Sequence, residues 1–156
     1  MTIERAKEHL SEYGRDRDVL EFDVSSATVE LAAKAIGCAP ERIAKTLSFM
    51  VDDGVALVVC AGDARIANPK FKEAFHCKAK MVDPEELIGH AVGGVCPFGV
   101  NDGCKIYLDE SLRRFETVFP ACGSSNSAIE LTPDELEELT PGSTWVDVCK
   151  LPTGNR

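Results

Sequence analysis

Ile3, Ala6, Leu10 and Tyr13 recur at three- and four-residue intervals, and Gly14 follows as a stop. That spacing puts apolar side chains on one face of a helix, so an amphipathic helix is predicted over residues 2 to 13. Val19, Leu20 and Phe22 predict a short first strand. Residues 28 to 36 are rich in alanine and end at Gly37, which predicts a second helix. Pro40 then opens a brief helical turn, where its missing N–H is no loss. Residues 46 to 51 and 55 to 60 are β-rich runs around Asp52-Asp53-Gly54 and predict a hairpin. The second run is apolar at nearly every position, as a central strand covered on both faces would be.

Asn68-Pro69, Asp83-Pro84 and Thr132-Pro133 each set a capping side chain before a proline at the first helical position. They predict three more helices, with Thr132 and Glu135 at the spacing of a capping box. Strand candidates fall at 78 to 82, 105 to 109, 117 to 121, 128 to 131 and 144 to 149. Helices and strands intermingle, so the expected fold is mixed α/β (α+β). A mixed, largely antiparallel central sheet would be surrounded by helices. One domain is expected over residues 1 to 156, with its core at about 3 to 150 and a loose tail from Pro152.

Charge narrows the function. Against 17 Lys and Arg stand 26 Asp and Glu, a net charge of −9. Such a chain does not coat nucleic acid through phosphate charge, although it can grip one end of one with a few basic groups. The N-terminus lacks a basic stretch followed by an apolar run, and no window is long enough for a membrane span. A cytoplasmic protein without membrane attachment is expected. Seven cysteines at irregular spacing make a poor disulfide framework and contain no Cys-x-x-Cys pair. They read as reduced, mostly buried small hydrophobes.

The chain has no phosphate-binding Gly-x-x-x-x-Gly-Lys, no Gly-x-Gly-x-x-Gly, no His-Glu-x-x-His and no Gly-x-Ser-x-Gly. His9, His76 and His90 are too far apart to suggest a ligand set, and no metal or cofactor is expected. Two places stand out. Lys45 sits between a short helical turn and an apolar strand. Taken alone it is either a solvated strand end or a point charge aimed at a phosphate or a developing oxyanion. Gly93-Gly94-Val95-Cys96-Pro97-Phe98-Gly99 holds three glycines and a proline in seven residues. It is either a surface turn or a loop whose backbone passes close to a ligand. Cys96 within it lacks a neighbouring base and reads as a packing or pocket-wall residue rather than a nucleophile. The small polar stretch from Ala121 to Ala128 is a connector or the wall of a small pocket.

Four segments together resemble the YbaK/EbsC family, the free-standing relatives of the editing domain of bacterial prolyl-tRNA synthetases. They are Arg42–Leu47, Ala61-Gly62-Asp63, Gly93–Gly99, and Gly123-Ser124 leading into Ala128–Pro133. The resemblance implies that fold and an aminoacyl-tRNA deacylase, which hydrolyses the ester of a mischarged amino acid. It implies a catalytic site at Lys45, Gly93 and Pro97, with Lys45 engaging phosphate near the terminal adenosine. Thr28, Thr46, Gly94, Val95, Cys96, Gly123, Ser124 and Ala128 would contact substrate. It also implies catalysis without a protein nucleophile or metal, helped by a substrate hydroxyl. Members best known for removing cysteine carry phenylalanine at the position of Thr28 and aspartate near Ala128. These departures make alanine or 2-aminobutyrate on proline tRNA as fitting as cysteine. Expected partners are the acceptor end of aminoacyl-tRNA and, as a source of RNA affinity, prolyl-tRNA synthetase. Lys70, Lys72, Lys78 and Lys80 form a candidate docking face. A binding module of the same fold without turnover is the alternative.

Overall fold

The most continuously apolar run of the sequence becomes the middle of the sheet. The computed structural model describes residues 2–51, 54–81, 95–101 and 103–152. Its main sheet has five strands, numbered in chain order. Across the sheet these are β6 (Phe119–Pro120), β2 (Ile43–Val51), β3 (Gly54–Ala61), β5 (Cys104–Asp109) and β8 (Thr144–Val146). Leu57, Val58 and Val59 of β3 are fully buried, as a strand covered on both faces requires.

The expected mixed sheet is present, but its balance is not the expected one. The β2–β3 hairpin is antiparallel, from Ala44 opposite Ala61 to Val51 opposite Gly54. The pairings of β2 with β6, β3 with β5 and β5 with β8 are all parallel. A hairpin announces itself through a local turn, whereas parallel partners come from distant segments that no local signal joins. Antiparallel pairing returns in two small sheets. One joins β1 (Leu20–Glu21) to β7 (Ser127–Ala128), and the other joins β4 (Arg65–Ile66) to β9 (Cys149–Lys150).

Four α-helices lie among the described residues. In α1 (Thr2–Ser11), two residues shorter than its pattern, Ala6 and Leu10 are fully buried. In α2 (Val29–Ile36) the Thr28 hydroxyl accepts from Leu31 N at 3.1 Å and so caps the first turn. Thr132 and Glu135 form the predicted capping box of α4 (Pro133–Leu139), with bonds of 3.0 and 2.9 Å. Asn68 does not cap α3 (Asn68–Phe75); Ala67 takes the cap position without a side-chain bond. The Ala67 N–H is held by the Val148 carbonyl at 2.8 Å, so the chain leaves β4 and turns helical one residue earlier than the motif suggests.

Other segments are shorter than predicted. The strand expected at 78 to 82 is a single bridge between Met81 and Phe49. Residues 117 to 121 and 128 to 131 form β6, β7 and the bridges Val118 to Leu131 and Ala121 to Ala128. Residues 144 to 149 divide between β8 and β9, which serve different sheets. The predicted helix after Asp83 and the Asp52-Asp53 turn lie outside the described residues.

One apolar cluster runs from Ala6 to Cys149, and Cys60, Cys96, Cys122 and Cys149 are buried free thiols. A polar network closes the β3–β5 side. Asp109 is 1% exposed, and its carboxylate accepts from Val148 N at 2.8 Å and Ser111 N at 2.9 Å. The Ser111 hydroxyl accepts from Ala61 N at 3.1 Å. Among the described residues, no helix is long and apolar enough to cross a membrane.

Candidate functional site

On the other side of the hairpin the sheet has a gap. Strand β6 pairs with β2 only at Ile43 and Ala44, and the next bridge on β2 is Phe49 to Met81. Between them, Lys45 to Leu47 has no partner strand on that edge among the described residues. A cleft of about 470 Å³ opens along this gap. Its walls are the edge of β2, the start of α2 with the preceding Ser26-Ala27, Val95, Phe119 and Ala121, and β7. Small side chains (Ala27, Ala32, Ala44, Ala121, Ala128) keep it open.

Of the residues singled out from sequence, Thr28, Lys45, Thr46, Val95 and Ala128 line this one cleft. Gly93 and Gly94 lie outside the described residues. Cys96 and Pro97 are buried beside the cleft rather than in its lining. The Cys96 thiol lies 3.5 Å from the Phe98 carbonyl, and burial pushes its pKa up to about 12. It is a core residue with no thiolate to offer near neutrality, as its lack of a neighbouring base implied. Gly123 and Ser124 are also absent from the lining. The Ser124 hydroxyl donates to Asn126 Oδ1 at 2.9 Å and shares a 2.6 Å contact with Ser127 Oγ. Asn126 in turn holds the Phe22 carbonyl. That serine-rich stretch is therefore a buttress, tying the cleft's floor to residues 22 to 26.

The glycine-rich loop divides in function along its length. Gly99 has φ +65°, and a Cβ there would collide with the Arg5 carbonyl of α1. His9 stitches the same contact: its Nδ1 accepts from Gly99 N at 3.2 Å and its Nε2 donates to the Leu139 carbonyl at 2.6 Å. The far end of the loop is thus fixed by packing, while Val95 reaches the cleft.

Lys45 is half-buried, and its ammonium donates to the Gly62 carbonyl at 3.3 Å. Gly62 is forced by close approach, because a Cβ would collide with the Pro40 carbonyl oxygen and stand 2.8 Å from Val29 Cγ1. The neighbouring Asp63 is committed to Arg114 through contacts of 2.6 and 3.2 Å. Among the described residues no carboxylate lies within ion-pair distance of Lys45, and no Asp or Glu lines the cleft. Among the described residues the cleft therefore presents one positive charge without a carboxylate partner. Arg42 is spent elsewhere: it bonds Thr117, reaches Glu130 at 3.4 Å and stacks on Phe119, which anchors β6.

Sequence reasoning missed Ser26, Ala27, Phe119 and Met81 as lining residues. No motif marks them; only tertiary packing beside β2 brings them together. Among the described residues, no group of three His, Cys, Asp or Glu side chains is arranged to hold a metal ion.

Comparison with known proteins bears on the fold and the family. The chain is 53% identical over 154 residues to the uncharacterized protein YwhH of Bacillus subtilis strain 168, covering 96% of this chain and 98% of that one. It is 32% identical over 120 residues to a proline–tRNA ligase of Shouchella clausii, covering 72% of this chain but only 21% of the ligase. The crystal structure of a candidate trans-editing enzyme for prolyl tRNA synthetase superposes with a TM-score of 0.85 at 31% identity, covering 96% of this chain and 97% of that one. Hypothetical protein APE2540 superposes with a TM-score of 0.79 at 28% identity, covering 91% and 99%. The model of the aminoacyl-tRNA editing domain matches residues 24–139, a span that holds the whole described cleft, and the chain belongs to that family.

Proposed function

We propose that this chain is a trans-editing aminoacyl-tRNA deacylase, hydrolysing the ester between a mischarged small amino acid and the 3′ end of tRNA, with proline tRNA the expected carrier. The observation that carries the reading is Lys45. Its ammonium has no carboxylate partner among the described residues and stands on the wall of a cleft lined by small side chains. A backbone phosphate beside the terminal adenosine supplies the missing counter-charge and fixes the ester along the free edge of β2. Positioning then does most of the work, because an aminoacyl ester is already labile and orientation alone removes much of the barrier. The terminal ribose 2′-hydroxyl is the group placed to assist the attacking water. The family resemblance assigns Gly93 and Pro97 to the acyl side; Pro97 is buried, and its ring stiffens the chain there.

Alanine, 2-aminobutyrate and cysteine are the candidates that the family resemblance supplies. RNA affinity is the weak point of a chain with net charge −9. Lys70 is tied to Asp147 and the Cys149 carbonyl, each at 3.0 Å, whereas Lys72 and Lys78 line a second cleft with Asn68 and Pro69. The docking face therefore narrows to Lys72, Lys78 and Lys80, with prolyl-tRNA synthetase as the partner that adds affinity.

The test is release of amino acid from proline tRNA charged with alanine, 2-aminobutyrate, cysteine or serine. Release from at least one, abolished by Lys45→Ala, is the expected outcome. Release undiminished in the variant, or none above the uncatalysed rate, overturns the proposal. RNA binding without release identifies the binding module instead.

A further inference from the structure

Five hydroxyl side chains line the cleft, and they are not equivalent. Thr28 is spent on capping α2, and Ser127 shares its hydrogen bond with Ser124. Ser48 has a partner of its own. Ser26 Oγ and Thr46 Oγ1 are buried and have no hydrogen-bond partner among the described residues. Ser26 as a whole is 8% exposed. Its backbone is held in place by a 2.6 Å bond from Ser26 N to the Ser125 carbonyl, so the hydroxyl is presented on a fixed frame. Thr46 is held by its place in β2, opposite Val59 of β3.

Buried polar groups in native proteins are almost always satisfied, so two orphans in one cavity call for a partner from outside the chain, water or a ligand that displaces it. The chemistry of that ligand follows from what the hydroxyls can exchange. Each offers one donor and can accept. An ammonium offers donors only, and it would stand beside Lys45 with no carboxylate lining the cleft among the described residues. A methyl or ethyl group leaves both hydroxyls unpaired. A neutral hydroxyl, both donor and acceptor, satisfies the pair.

We propose that Ser26 and Thr46 read the side-chain hydroxyl of the amino acid being removed, so that the preferred substrate is a seryl or threonyl ester rather than an aliphatic one. This rests on the deacylase reading and sharpens its substrate class. Sites that hydrogen-bond a substrate hydroxyl discriminate strongly against the analogue lacking it, because their own groups are then left unpaired. A preference on the order of 10²-fold over alanyl and 2-aminobutyryl esters is expected.

The experiment compares kcat/KM for seryl, threonyl, alanyl and 2-aminobutyryl esters of one tRNA, using the full chain and its Ser26→Ala and Thr46→Val variants, each checked for native unfolding. A seryl or threonyl preference, with the seryl-to-alanyl ratio falling about tenfold or more in each variant, supports the proposal. An aliphatic preference in the unaltered protein overturns it. So does an equal fall for all four esters in both variants, which would mean that the hydroxyls hold the ammonium or the ribose common to them. A calorimetric titration with 3′-amide analogues of seryl- and alanyl-adenosine reads the same choice without turnover. Tighter seryl binding upholds the proposal even in a protein that releases nothing, and equal or weaker seryl binding overturns it.

Discussion

Two sets of buried polar side chains flank the β2–β3 hairpin and are treated in opposite ways. On the β3 side, Asp109 and Ser111 have all their visible hydrogen-bonding work done by the protein: Val148 N, Ser111 N and Ala61 N are their partners. On the β2 side, the Ser26 and Thr46 hydroxyls are buried without partners among the described residues, beside a lysine that has no carboxylate partner among them. The first set holds three segments together, and the second leaves valences for something else. Satisfaction of buried polar atoms, rather than burial or polarity alone, separates the structural network from the site.

Five substitutions and one labelling experiment probe that division, taken here from the largest effect to the smallest. Asp109→Ala strips the acceptor from two buried amides and is expected to lower the unfolding free energy by about 3 kcal/mol or more, read by urea denaturation. A loss under about 1 kcal/mol would erase the distinction between the two sides. Lys45→Ala should do the reverse. A loss on the order of 10²-fold in deacylation is expected with an unfolding midpoint unchanged. Gly62→Ala links structure and site, since its Cβ meets the Pro40 carbonyl and must displace the strand end that orients Lys45. About 2 kcal/mol of stability should go, together with activity. Ser111→Ala orphans Ala61 N and should cost about 1–2 kcal/mol, whereas Ser26→Ala removes an unsatisfied hydroxyl and should be neutral or stabilising. Equal costs for the two serines would break the comparison directly. The smallest effect belongs to Cys96. With its thiol pushed up to about 12 by burial, mass spectrometry after iodoacetamide near neutral pH should find it unmodified in the native protein and modified only on unfolding.

Legibility followed the range of the interaction. The capping box at Thr132 and Glu135, the helix stop at Gly37 and the hairpin with its apolar inner strand were all readable, because each is set by residues close in sequence. The Asn68 motif misled by one position, since a tertiary bond from Ala67 N to Val148 O decided where α3 begins. The three parallel pairings were invisible for the same reason. Within the site, Lys45 and Thr46 stood out through their family context, and Val95 through the glycine loop. Ser26 carries no signal; it is an ordinary serine until the chain before α2 is laid against β2. Ser124 and Cys96 entered the expected site through the family resemblance, and neither is among the described residues that line the cleft.

What the sequence determined by itself was the local inventory: which segments are helical, which strand lies at the centre, and which lysine and which loop merit attention. Those follow from periodicity, capping chemistry and backbone stiffness, all acting over a few residues. Tertiary structure alone decided that β6 stops after two residues of pairing and leaves an edge of β2 open, and that Asp63 is taken by Arg114 while Lys45 keeps its charge. It alone decided which buried hydroxyls go unsatisfied. Hydrogen-bond satisfaction is a property of the assembled neighbourhood, because a donor in one segment is met or missed by an acceptor from another, and no local pattern records which.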